Sequence, residues 1–197
     1  MKPCLLILII CRRLKAKYRH KPSISCLFMR AFSKDCIPFT AFKTLDESQK
    51  AWITSDGSLT ALLEAKSGQP LQVKRTFEGY RLLSMAQKKQ LGYKGIKLNR
   101  PMLAWVREVL LFGNSLQPWV AAQSIFPLPS LKGEAKRLQH LQGTPIGYVL
   151  FKRQKTLPNR RLIEPTKAGW RRSTVYDWHG RSLIISETFL PELFLVK

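Results

Sequence analysis

Two stretches of the chain alternate apolar and polar positions, and each carries a charge on its apolar side. The first is Leu183, Ile184, Ile185, Ser186, Glu187, Thr188, Phe189, Leu190 and Pro191. Successive side chains of an extended strand point to opposite faces. Leu183, Ile185, Glu187 and Phe189 therefore share a face that is apolar apart from Glu187. A carboxylate in that setting is paired, neutralised or waiting for a ligand. The second stretch, Leu103 to Phe112, reads as strand from its β-branched and aromatic content. Trp105, Arg107, Val109 and Leu111 fall on one face, with Arg107 its only charge. Two readings stay open. One is a buried structural ion pair. The other is a closed apolar pocket with a guanidinium at one end and a carboxylate at the other, suited to a small ring acid bearing a hydroxyl.

The remaining pattern supplies the surroundings. Leu45 to Ile53 reads as a short helix, with Thr44 as N-cap and Glu47 at capping-box spacing. Asp56, Gly57 and Ser58 break the chain. Ser58 can cap a second helix, Leu59 to Ala65, which Ser67 and Gly68 end. Leu71 to Leu83 reads as strand, and the polar, basic stretch Lys88 to Asn99 as a surface loop. Strand 103–112 turns at Gly113, Asn114 and Ser115 and returns from Pro118 to Phe126, where Pro127 and Pro129 stop it. Ser130 can cap a helix running to about Leu141. Thr144 followed by Pro145 predicts the start of a short apolar helix, Ile146 to Phe151. Strands Arg171 to Tyr176 and Arg181 to Leu190 form a second hairpin. Hairpins dominate over βαβ units, so the expected fold class is α+β: a single, mainly antiparallel sheet with helices packed on it.

The 197 residues predict one main domain, and 45% hydrophobic content suffices for its core. The expected division is a basic N-terminal extension over 1–40 and the folded domain over 41–197. Net charge is +22; residues 1–28 hold seven Lys or Arg and no acid, which leaves +15 beyond them. The segment Cys4 to Cys11 is apolar but too short to span a bilayer, and most of its flanking charge follows it, unlike a signal peptide. It reads as a disordered basic leader, a weak membrane-surface anchor, or translated sequence upstream of a true start near Met29. Between Lys152 and Arg172 eight basic residues meet one acid, Glu164. That stretch is either a solvated surface or flap, or an attractor of anionic substrate. Charge of this kind draws nucleic acid, lipid or acidic metabolites alike and names no partner.

Familiar chemistry is missing from the motifs. There is no phosphate-binding GxxxxGK[ST], no GxGxxG and no GxSxG elbow. His20, His140 and His179 lack metal spacing, and the four cysteines lie within the first 36 residues without a CxxC pair. The expectation is therefore no metal, no organic cofactor and a reducing, cytoplasmic setting. Elimination toward an aromatic product has no cofactor requirement, because aromatisation supplies the driving force.

A family resemblance joins these observations. Trp105-Val106-Arg107-Glu108-Val109-Leu110-Leu111, Pro118-Trp119-Val120-Ala121, Gly143-Thr144-Pro145-Ile146-Gly147, Leu150-Phe151, Gly169-Trp170-Arg171-Arg172-Ser173 and Glu187-Thr188-Phe189-Leu190-Pro191 resemble the bacterial chorismate lyases in order and spacing. The resemblance implies conversion of chorismate to 4-hydroxybenzoate and pyruvate, the entry to ubiquinone. It implies a single antiparallel sheet with helices that encloses the ligand in an internal cavity behind two flaps. By position, Arg107 falls where the family grips the ring carboxylate and Glu187 where it meets the 4-hydroxyl. Ile146 and Leu59 fall at its apolar contacts, where leucine and methionine are common. Gln123 departs from a frequent arginine; if that arginine draws in substrate, another cation must do so here. The implied partner is the small molecule chorismate, with no nucleic acid and no stable membrane insertion, and a monomer is expected. A second class stays open: ligand-sensing domains of some bacterial transcription regulators resemble this fold and bind small carboxylates without chemistry. They accompany a winged-helix domain, for which residues 1–43 are too short and poorly patterned.

Overall fold

A computed structural model describes residues 35–36, 45–152, 157 and 159–195. The expectations for the N-terminal leader and for Thr44 lie outside these residues. A seven-stranded sheet organises the chain. Its strands are β1 (Asp35–Cys36), β2 (Gln72–Leu82), β3 (Leu103–Phe112), β4 (Val120–Pro127), β5 (Asn159–Thr166), β6 (Gly169–Trp178) and β7 (Arg181–Phe189). Their order is β1-β5-β6-β7-β4-β3-β2. Only the two-residue β1 runs parallel to its neighbour, β5; every other pair is antiparallel. The α+β expectation is met.

Helices α1 (Glu47–Thr54) and α2 (Leu59–Ser67) precede β2. Ser58 caps α2 as its sequence predicts, and Gly68 ends it at φ 69°, a left-handed conformation that costs glycine little. Helix α1 begins later than expected. Asp46 caps it in a reciprocal box with Gln49, since a carboxylate there satisfies the free N–H of the third helical residue.

Other corrections share a cause: short, irregular helices carry little periodic signal. Lys88 to Asn99 is not a surface loop. It holds the end of α3 (Met85–Gln90) and the whole of α4 (Ile96–Asn99), and Lys88 is buried with its Nζ donating to the carbonyls of Leu98 and Arg100. The expected helix after Ser130 is two 3₁₀ segments, Leu128–Ser130 and Gly133–Gln139, divided near Gly133 at φ 60°. Ser130 Oγ donates to the carbonyl of Ser182 instead of capping. The next helix, α5, is confined to Gly147–Leu150 and has no side-chain cap from Thr144. The basic stretch Lys152 to Arg172 contains an unanticipated strand, β5, paired along its length with β6. A last turn of helix, α6 (Glu192–Leu195), follows β7.

One sheet face carries two apolar clusters. Ile53, Leu59, Leu63 and Leu193 of the helices pack on Val109, Leu111, Val120, Ile163 and Phe189. Farther along, Leu131, Leu138, Leu141 and Leu150 pack on Phe126, Tyr176, Leu183 and Ile185. The opposite face has its own apolar cluster, where Leu83 and Leu91 meet Val106, Ile125, Val175 and Ile184. The candidate site lies on the first face, between its two clusters.

Candidate active site

Register fixes which side chains share that face. Arg107 on β3 pairs with Ser124 on β4, which pairs with Ile185 on β7. One step along, Val109 pairs with Ala122 and Ala122 with Glu187. Arg107 and Glu187 therefore lie two strands apart and two residues out of step, about 12 Å between Cα atoms from ordinary sheet spacings. The small side chains of Ala122 and Ser124 lie between them and leave a hollow in the sheet floor.

All four residues singled out in the sequence line this hollow: Arg107 and Glu187 from the sheet, Leu59 from the start of α2, and Ile146 immediately before α5. Gly57 and Thr60 add to one side of the roof; Pro145, Gly147 and Phe151 add to the other. The space they line is about 30 Å³, room for one or two water molecules. The two halves of the roof touch closely at Gly147. A Cβ there would lie 2.4 Å from Thr60 Oγ1 and 2.8 Å from Ser58 Oγ, so nothing larger than glycine fits in this arrangement. Outside that contact the Tyr148 hydroxyl donates to Glu64 Oε1.

The two charges are not partners of each other. Arg107 is 2% exposed. Its Nη2 donates to the carbonyl of Gln142 at 2.5 Å, and its Nε lies 3.5 Å from Glu78 Oε1 without making a hydrogen bond. Burial pushes the guanidinium below its usual pKa, while Glu78 pulls it back up. Glu187 Oε2 accepts from Arg172 Nε at 2.8 Å. Its Oε1 has no hydrogen-bond partner among the described residues. The expected ion pair between Arg107 and Glu187 is not formed. Glu187 does belong to a buried ion pair, but with Arg172 of β6, and it still faces the same pocket as Arg107.

Arg172 is the residue that sequence reasoning missed. It is 1% exposed, and its Nη1 donates to the carbonyl and hydroxyl of Ser55 at 2.9 and 3.0 Å and, at longer range, to the carbonyls of Trp52 and Ile53. It ties the carboxylate of Glu187 to the turn that leads into Gly57 and α2. Arg161 holds the same turn through the Thr54 carbonyl and Asp56. Tyr176, also unanticipated, lines the pocket; burial, reinforced by Glu187, raises its hydroxyl to about 12, so it stays a neutral donor. Gln123 stands apart from the pocket. It lies on the opposite sheet face, in register with Glu108 and Ser186, and its Nε2 donates to Glu108 Oε1 at 2.8 Å. Whatever replaces the frequent arginine there, it is not a pocket side chain.

The family model described as Chorismate lyase matches residues 37–196. A protein of Psychrobacter cryohalolentis named "Probable chorismate pyruvate-lyase" is 69% identical over 140 residues, 71% of this chain and 83% of that one. One of the same name from Acinetobacter baumannii is 39% identical over 157 residues, 79% of this chain and 89% of that one. Among solved structures, a GntR-family transcriptional regulator from Bacillus cereus superposes with a TM-score of 0.43 at 13% identity, over 62% of this chain and 92% of that one. That likeness is too loose to bear on function.

Proposed function

The chain belongs to the chorismate lyase family, and on that premise we propose that it removes pyruvate from chorismate to leave 4-hydroxybenzoate, the first step of ubiquinone biosynthesis. The observation that carries the proposal is the pocket. One cation and one carboxylate stand at its two ends, with apolar and small side chains between them. That placement of charge supports the binding of a flat ring acid with a hydroxyl opposite its carboxylate, once the roof parts to admit it.

In the proposed reaction Arg107 grips the ring carboxylate through charge-assisted hydrogen bonds. Glu187, held through Oε2 by Arg172, offers Oε1 to the ring hydroxyl. The ether bond from the ring to the enolpyruvyl oxygen breaks, and the electron pair stays with that oxygen. The hydrogen on the ring carbon that bears the hydroxyl is lost, and the ring becomes aromatic. That proton ends on the methylene carbon of the leaving group, which becomes pyruvate. Every atom is conserved and no redox partner or cofactor is called for. The protein's part is to orient, to exclude water and to stabilise charge. Among the described residues no helix is long and apolar enough to cross a membrane, and a cytoplasmic setting is proposed.

The test is direct. Purified protein incubated with chorismate should release 4-hydroxybenzoate, seen by its absorbance, and pyruvate in equal amount; absence of both refutes the reading. Arg107→Ala should weaken 4-hydroxybenzoate binding by about 1.5–3 kcal/mol, the scale of a charged hydrogen bond, and unchanged affinity would refute the role given to Arg107. Near-normal turnover by Glu187→Gln would restrict Glu187 to holding the hydroxyl.

A further inference from the structure

Polar groups are unevenly placed about the diagonal that runs across the pocket floor from Arg107 to Glu187. On one side of it the floor is Val109, Leu111 and Ala122, all apolar. On the other side it carries Ser124, Ile185 and Tyr176. Register sets the division. Ser124 and Ile185 lie level with Arg107, and Val109 and Ala122 level with Glu187. Tyr176 on β6 is four residues along from Arg172, the cross-strand partner of Glu187, so the period of two keeps it on the pocket face.

Tyr176 is held in place. It is 4% exposed, and its ring stands edge-on to that of Phe151 in the roof, with centroids 5.8 Å apart. Its hydroxyl feels the charge of Glu187, and burial together with that charge keeps it protonated. It is therefore a fixed, neutral donor on the Glu187 side of the pocket. The reaction assigned above gives it no part.

Chorismate has one charge still to place once its ring carboxylate is at Arg107 and its hydroxyl at Glu187. The enolpyruvyl ether leaves the ring next to the hydroxyl and ends in a second carboxylate. Toward Val109 and Leu111 the floor would bury that carboxylate without a donor, which is costly. Toward Ser124 and Tyr176 two hydroxyls are available to it. Among the described residues that line the pocket Arg107 is the one cation, and Arg172 is engaged by Glu187 and the 52–55 turn. On the reading that the substrate is chorismate, we propose that Tyr176 binds it by donating its hydroxyl to the enolpyruvyl carboxylate, with Ser124 a second donor from the floor. A hydroxyl gives a charge-assisted hydrogen bond without the bidentate grip of a guanidinium, which suits an arm that must leave as pyruvate.

Two ring acids that cannot react test this: 4-hydroxybenzoate, and the same acid carrying a carboxymethoxy group beside its hydroxyl. Titration calorimetry on the full chain and its Tyr176→Phe variant measures both affinities. Phenylalanine keeps the ring and its contact with Phe151, and an unchanged melting temperature shows the fold intact. In the variant, affinity for the carboxymethoxy acid should fall at least about tenfold, the scale of a hydrogen bond to a charged group, while that for 4-hydroxybenzoate stays within about twofold. Ser124→Ala gives a second, independent reading and should also weaken the carboxymethoxy acid alone. Equal loss for both acids would make Tyr176 a wall of the pocket and overturn the proposal. No loss for either, or no binding of the carboxymethoxy acid by the unsubstituted chain, would overturn it too. Release of pyruvate from chorismate is measured separately: a chain that selects the arm through Tyr176 yet releases none refutes the reaction and not this contact.

Discussion

At the scale of single residues, the carboxylate of Glu187 is governed by Arg172. The guanidinium spends Nε on Glu187 and Nη1 on the backbone and hydroxyl of the 52–55 turn. Both side chains are buried, so removing Arg172 takes from Glu187 its charge partner. Breaking a buried pair from one side costs about 3–5 kcal/mol. Arg172→Ala should therefore lower unfolding stability by about that amount in urea titration, and an unchanged midpoint would refute the argument. On the proposed role of Glu187, Arg172 acts through it as a positioning residue, and its kinetic signature should differ from that of Arg107. Arg172→Lys restores the charge but not the fork that reaches both Glu187 and Ser55. It should recover most of the stability and leave kcat depressed, with KM little changed. If Lys restores both stability and turnover, the fork has no role beyond charge.

At the scale of elements, the roof of the pocket is two pieces that meet over the ligand space. Helix α2 is fixed by Leu59 and Leu63 in the core, and its leading turn by Arg161 and Arg172. The segment carrying Pro145, Ile146 and Gly147 meets it at Thr60 and through the Tyr148–Glu64 bond. Opening the pocket breaks that bond. Tyr148→Phe should speed dissociation of 4-hydroxybenzoate roughly two- to tenfold, the worth of one hydrogen bond, as measured by stopped-flow displacement; an unaltered off-rate would show that the bond does not hold the roof. The floor of this site was legible in the sequence and its roof much less so. Strand alternation placed Arg107 and Glu187 on inward faces because period two leaves no ambiguity once a strand is recognised. The partner of Glu187 depended on register. His179 and Gly180, at φ 53° and 71°, form the two-residue turn that pairs Trp178 with Arg181 and hence Arg172 with Glu187. A broader turn, Asp177 to Gly180, hid that consequence. Strand β5 escaped notice because Arg160, Arg161 and Pro165 carry no strand signal. Arg161 is buried where Thr54 and Asp56, more than a hundred residues away in sequence, receive it.

At the scale of the whole molecule, 34 Lys and Arg stand against 12 Asp and Glu. Like charges outnumber opposite ones, so the compact state repels itself. The exposed pairs Arg75–Glu78 and Arg81–Glu108 offset little of this, since surface salt bridges contribute about 0–1 kcal/mol each. The same field attracts a dianionic substrate from solution. Salt weakens both effects together: the screening length falls from about 30 Å at 0.01 M to about 8 Å at 0.15 M. The two readouts should then move in opposite directions. Between those concentrations of sodium chloride the melting temperature should rise, because repulsion within the fold is screened. Over the same range kcat/KM for chorismate should fall while kcat holds steady, because the encounter loses its steering and the buried contacts of Arg107 and Glu187 are beyond the reach of screening. Thermal melts and steady-state rates on one preparation decide the matter. A melting temperature that falls with salt would mean that local ion pairs outweigh the net charge. A kcat/KM indifferent to salt would mean that the cations outside the pocket play no part in bringing substrate to it.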